Sequence, residues 1–230
     1  QQSNGFQRHG FAAGVGAGDD QGVELLTQLH GDGHCLGLVQ QRVPGPAQGH
    51  AAPAADDFVR THPLDMVIGS MHAMPDDLDI YFHEYEKLDC DAFLHEYFDE
   101  VLKMEEHGGF DVLAHIDYPL RVMKHGDYIP SFDHYMDRVE QVLRSCIDHG
   151  YALELNAAGL GGWQKRVGPP QNVLYEYRRM GGERISIGSD AHTLAAVGRG
   201  FDDSVRNAQD AGFTHVTVFR ERKPHFVPLG

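Results

Sequence analysis

The sequence predicts a parallel α/β fold over about its last three quarters, and three observations carry that expectation. From residue 57 onward, short apolar runs alternate with amphipathic helical patterns at roughly 30 residues per unit, the length of a strand–helix–strand repeat. Gly and Pro fall between these runs, where they punctuate turns. The apolar runs lead into polar residues, as parallel strands do where their carboxyl ends share one face.

The elements follow in order. Leu64-Asp-Met-Val-Ile-Gly69 reads as a buried strand. Residues 91–107 place Phe93, Leu94, Tyr97, Phe98, Val101 and Met104 on one helical face, and Gly108-Gly109 stops that helix. Phe110-Asp-Val-Leu-Ala114 is the next strand and runs straight into His115. Ser131 is expected to cap a second long helix, with Phe132, Tyr135, Met136, Val139, Val142, Leu143 and Cys146 in its apolar stripe. Gly150 ends it, and Tyr151 to Leu155 forms a strand. Pro169-Pro170 opens a helix through Tyr177, closed by Gly181-Gly182. Arg184 to Gly188 is a strand entering Ser189-Asp-Ala-His192. A helix over 200–211 and a last strand from Thr214 to Phe219 complete the series.

Residues 1–56 do not share this pattern. Residues 1–62 contain no Ile, Lys, Met, Tyr or Trp, and only Val23 to Leu29 offers two turns of helix. The segment reads as a disordered Gly-rich extension, as an aberrant opening, or as a divergent start to the fold of residues 57–230.

Composition narrows the function. With 230 residues, 41% of them hydrophobic, the chain can bury one sizeable core. A formal charge of −15 argues against binding a nucleic-acid backbone or an anionic membrane. Cys35, Cys90 and Cys146 form no CxxC pair, which favours a reducing compartment. There is neither an apolar run of about 20 residues nor a signal-peptide pattern, so a cytoplasmic location is expected. Sixteen histidines favour a metal enzyme, since imidazole is the commonest metal ligand.

The polar strand ends supply the candidates. His72 follows the first strand of the regular part, His115 the second, Asn156 the third, and Asp190 with His192 the fourth. Each alone has an ordinary explanation: a loop histidine at His72, a hydrogen bond from His115 to Asp117, a helix cap at Asp190. Together at successive strand ends they form a nitrogen-and-oxygen donor set suited to Zn, Mn or Fe rather than Ca. His83, His95, His107, His125, His134 and His149 are expected on solvated faces, and His30 and His34 are weak alternatives as ligands.

These motifs are similar to those of a known family. Val67-Ile-Gly-Ser-Met-His72, Phe110-Asp-Val-Leu-Ala-His-Ile-Asp-Tyr118, Ala152-Leu-Glu-Leu-Asn156 and Ile187-Gly-Ser-Asp-Ala-His192 resemble successive motifs of the PHP family, in its histidinol-phosphate phosphatase form. The resemblance covers about residues 57–229. It implies a distorted (β/α)7 barrel, incomplete here at its N-terminal strands, and up to three divalent metals, fewer in this chain. By that resemblance His72 and His115 are ligands of one metal, Asp190 of a second and His192 of a third. Water activated by the metals would attack a small phosphate monoester. Arg121 resembles a phosphate-holding residue. The family's opening His-x-His motif has no counterpart in residues 1–62. Its Asn-Thr-Ser-Gly-Leu-Arg pattern reads Asn156-Ala-Ala-Gly-Leu-Gly161, with Lys165 and Arg166 further along as possible substitutes. Three readings stay open: a histidinol-phosphate phosphatase, a PHP phosphoesterase for another phosphate ester or nucleotide, and a non-catalytic metal-binding remnant.

Overall fold

The computed structural model describes residues 56–76 and 78–230 in full, and the backbone alone of 12–14, 23–29, 35–41 and 51–55. A seven-stranded sheet runs in sequence order, β1 (Ala12–Gly14), β2 (Val23–Leu29), β3 (Cys35–Gln41), β4 (Ile68–Gly69), β5 (Val112–Leu113), β6 (Ala152–Asn156) and β7 (Ile185–Gly188). The first three strands are antiparallel neighbours, whereas β3 to β7 are parallel. Among the described pairings β1 and β7 are the sheet's edges.

Val23–Leu29 is a correction to the sequence reading. It is a strand, not two helical turns, and pairs antiparallel with β3 from Val23↔Gln41 to Leu29↔Cys35. A short isolated helix is marginal, and a continuous ladder with a neighbouring strand outweighs its local preference.

The parallel strands are joined by helices, as their geometry requires. α1 (Ala51–Thr61) connects β3 to β4, and α2 (Cys90–His107) connects β4 to β5. α3 (Tyr118–Val122) and α4 (Met136–His149) lie between β5 and β6, and α5 (Gln171–Arg179) between β6 and β7. α6 (Phe201–Asp210) follows β7. Asp89 caps α2, accepting from the backbone N–H groups of Asp91 and Ala92. Ser131 accepts from Asp133 N–H at 3.1 Å, but one 3-10 turn over Asp133–Tyr135 comes before α4 proper.

The expected stripes make the core. Leu94, Tyr97, Phe98 and Val101 from α2 meet Val139, Val142 and Leu143 from α4, all buried. Tyr97 places its ring in this core and donates its hydroxyl to Ile116 O at 3.0 Å, so the buried polar end is satisfied.

The chain does not end its secondary structure at Phe219. β8 (His215–Arg220) turns into β9 (Lys223–Pro228), an antiparallel pair separate from the main sheet. The two-residue turn is Glu221-Arg222, with φ of 49° and 63°. Such turns usually carry Asn or Gly, so the sequence lacks the usual signature. Here the turn is held from outside. Arg222 Nε donates to Asp111, whose Oδ2 also accepts from Val67 N–H, and Glu221 N–H donates to Asp65 Oδ1 at 2.8 Å.

One core carboxyl is costly. Both oxygens of Glu105 are shut from water without a donor at hydrogen-bond geometry, and the nearby Ser145 hydroxyl gives only partial relief. Burial pushes Glu105 up from 4.5 to about 8. Between these values the native state keeps a proton that the unfolded chain releases, so stability falls as pH rises. Replacing Glu105 with Gln removes this dependence. In urea unfolding at about pH 5 and about pH 8, the native protein should lose stability relative to Glu105→Gln, by at most about 1.4 kcal/mol per pH unit; parallel curves would refute the assignment.

Candidate functional site

Because β4 to β7 are parallel neighbours, their carboxyl ends open on one side of the sheet. His72 follows β4, His115 follows β5, Asn156 closes β6, and Asp190 follows β7.

His115 and His72 form the first half of the site. Their rings meet edge-on with centroids 5.0 Å apart, and Tyr118 lies 4.8 Å from His72 and 5.4 Å from His115. His115 Nδ1 and His72 Nε2 are both shut from water and neither has a hydrogen-bond partner. His72 Nδ1 stands 3.7 Å from Asp79 Oδ2, and Tyr118 donates its hydroxyl to Asp79 Oδ1 at 3.2 Å. Burial, reinforced by His72 and Arg121, holds His115 below the ordinary imidazole range. A neutral ring is the form that can ligate a cation. The hydrogen bond from His115 to Asp117 that an ordinary strand-end histidine could make is not formed.

Asp117 instead serves two guanidinium groups. It is fully buried, and its Oδ1 lies 3.4 Å from Arg121 Nη2 while Oδ2 lies 3.2 Å from Arg166 Nη1. Gly168 admits it: a Cβ there would stand 2.4 Å from both carboxylate oxygens. Arg121 reaches across with Nη1 to Asp190 Oδ2 at 3.3 Å. Of the two basic residues that follow Gly161, Arg166 therefore enters the site, whereas Lys165 is exposed. Trp163 fastens the same loop by donating its Nε1–H to Arg121 O at 3.0 Å.

Asp190 and His192 complete the set. Asp190 adopts a left-handed backbone at φ 49°, which Asp tolerates better than most residues. Its Oδ1 lies 3.4 Å from His192 Nε2, and the His192 side chain is 80% exposed. Burial opposes ionisation of Asp190, but its positive surroundings outweigh it and hold the carboxyl below its usual range. With His115 held neutral, the permanent charge of Arg121 is the partner that does this.

All six expected residues are thus neighbours or share a partner. Sequence reasoning gave no role to Glu154 or Asp79, and offered Asp117 only as a hydrogen-bond partner of His115. Two signals were available: Asp117 and Arg121 stand at i,i+4, and Glu154 shares the strand face of Asn156. Glu154 is buried and pushed up to about 7, by burial first and then by Asp190. Among the described residues, no three His, Cys, Asp or Glu side chains are gathered closely enough to hold a metal ion. His30 and His34 lie outside the described residues. His95, His107, His134 and His149 are exposed as expected, but His83 and His125 are half-buried, with His83 packed edge-on against Phe93. No helix among the described residues is long and apolar enough to cross a membrane.

Residues 27–158 match the PHP domain family, a span that opens within the segment the sequence reading set apart. Proteins named probable histidinol-phosphatase from Thermotoga maritima and Deinococcus radiodurans are 33% and 34% identical to this chain over 137 and 165 residues. Those alignments take in 59% and 69% of this chain, and 56% and 59% of the relatives. The chain spans less than two thirds of the length of the curated relatives it matches. The crystal structure of histidinol phosphate phosphatase from Lactococcus lactis, complexed with zinc, L-histidinol and phosphate, superposes with a TM-score of 0.67 at 19% identity. It covers 81% of this chain and 70% of that one, a likeness of fold. Since the matched span 27–158 is more than half of the 230 residues, the chain belongs to the PHP domain family, among relatives that carry the histidinol-phosphatase name.

Proposed function

We propose that this chain is the greater part of a metal-dependent phosphomonoester hydrolase acting on histidinol phosphate in histidine biosynthesis. The observation that carries the reading is the meeting of two orphaned imidazole nitrogens with a pair of guanidinium groups at the carboxyl ends of β4 to β7. The parallel strands β3 to β7 are read as part of a distorted (β/α)7 barrel in which these ends line the mouth, whereas the antiparallel pairing of β1 to β3 departs from that pattern. Two unbridged cysteines, Cys90 and Cys146, support a reducing, cytoplasmic setting.

The donors fit a divalent cation in kind. His72 Nε2 and His115 Nδ1 are buried atoms without partners, a costly arrangement that a bound cation relieves. His72 and His115 would hold one ion, with Asp190 and His192 toward others, and Zn, Mn or Fe suits this chemistry. Such a cation activates water and offsets charge developing on a phosphoryl group. Arg121 and Arg166 then hold the phosphate, each presenting N–H donors in a planar fork. Asp117 fixes both forks, so their order is established before the substrate arrives. His115 stays neutral, which keeps its lone pair available.

A second reading has its own observation. The absence of a three-donor cluster among the described residues favours a non-catalytic remnant that binds one metal or none. Metal analysis of the purified full chain separates the two: bound Zn, Mn or Fe near one equivalent or more supports the enzyme, and near zero supports the remnant. Replacing His115 with Ala should remove most of the metal, and unchanged content would count against His115 as a ligand.

Arg166→Ala should weaken inorganic phosphate binding by roughly 10- to 100-fold, the worth of a charge-assisted hydrogen bond of about 1.5–3 kcal/mol. Isothermal titration reads this directly, and an unaltered isotherm would remove Arg166 from the phosphate site. Turnover of histidinol phosphate against nucleoside monophosphates tests the substrate: faster hydrolysis of the nucleotides would favour a PHP phosphoesterase of different specificity.

A further inference from the structure

The groups read as ligands are themselves held by two side chains of β6 that the proposed chemistry does not use. Along Ala152-Leu-Glu-Leu-Asn156 the side chains alternate, so Glu154 and Asn156 share a face. Both are buried, at 6% and 1% exposure. Asn156 Nδ2 donates to Glu154 Oε2 at 3.0 Å and to Asp190 Oδ2 at 3.2 Å, while Asn156 Oδ1 accepts from Ala158 N–H at 2.9 Å. Both amide hydrogens and the amide oxygen are engaged. This leaves one orientation for the amide, because the flipped one would set its oxygen against two carboxylates.

Glu154 extends the connection to β5. Its Oε2 also accepts the backbone N–H of His115 at 2.9 Å. On the other side it lies against β7, where a Cβ on Gly188 would come within 2.1 Å of Oε1. The backbone ladder alone could not do this work: β5 and β6 pair only through Val112↔Ala152 and Leu113↔Leu153, short of His115.

We propose that Glu154 and Asn156 form a positioning relay that fixes His115 relative to Asp190, and that residue 156 must be an amide for the relay to hold. The consequence for metal affinity rests on the reading of His115 and Asp190 as ligands. A carboxylate at 156 would place three acceptors together with no hydrogen between them. An aliphatic side chain would leave Glu154 and Asp190 each short of a donor.

The test uses the full chain in two arms. The first needs no metal: the two side-chain amide proton resonances of Asn156 are followed by NMR. Asp190→Ala should displace mainly one of them and Glu154→Ala mainly the other; if neither responds, the relay does not exist. The second arm titrates cobalt(II) and reads its visible absorption. Asn156→Asp and Glu154→Ala should each weaken cobalt binding on the order of tenfold to a hundredfold with a changed band envelope, the usual penalty for losing a group behind a ligand. Glu154→Gln, which keeps an acceptor for both donors, should restore binding to within about threefold of the native protein. Native affinity and spectrum in folded Asn156→Asp would overturn the proposal. If the native protein itself takes up no cobalt while the amide signature is present, the ligand reading fails and the relay stands. Should Glu154→Ala not fold, the displaced amide resonance in Asp190→Ala carries the first arm, and the loss of cobalt affinity in Asn156→Asp, equal in volume, carries the second.

Discussion

A carboxylate sealed from water must be paired with positive charge or well-placed donors, since an unpaired buried charge costs several kcal/mol. Asp117 is in that position, and its requirement organises the mouth of the sheet. It sits at the start of α3, and its two oxygens face guanidinium groups from α3 and from the loop after β6. That loop is brought back by mutual backbone hydrogen bonds between Asn156 and Gly168, at 2.8 and 2.9 Å, which close it onto the end of β6. Gly168 then lies against Asp117 where no side chain could fit. With one end of its fork fixed, Arg121 spans to Asp190 and links the β5 side of the mouth to the β7 side.

Little of this stabilises the fold. Buried ion pairs roughly balance their desolvation, and their attested use is to specify an arrangement. Orphaned imidazole nitrogens at His72 and His115, and a left-handed backbone at Asp190, add cost. The compensation comes from the apolar core, where α2 and α4 bury their apolar stripes on one another and each core side chain is worth about 1.5–3 kcal/mol. The molecule divides its labour between a hydrophobic body and a polar rim.

The same division decides what could be read from the sequence. Helical periodicity and glycine stops gave α2, α4 and α5 closely, because those signals are local. The strand ends bearing His72, His115, Asn156 and Asp190 were legible because each polar residue closes an apolar run. Asp117 was visible only as a neighbour of His115, since its partners come from positions 121 and 166 and the second depends on how a loop returns. Val23–Leu29 misled for a related reason: its pairing with Cys35–Gln41 is non-local, and the segment alone carries no firm preference. β9 was missed because its turn, Glu221-Arg222, is imposed by Asp65 and Asp111 rather than by turn-forming residues.

The loop closed by Asn156 and Gly168 has a bearing on how related chains are compared. Its two ends are clamped together and Trp163 is tied down to Arg121, so a residue's place in space is set by these anchors more than by its count from the strand. A guanidinium can then arrive at the same spot from different points along the loop. Column-by-column comparison would find no cation at Gly161, although Arg166, further along the same loop, pairs with the buried Asp117. Equivalence in such a loop is a property of what a side chain meets, and gaps in an alignment here can conceal continuity of chemistry.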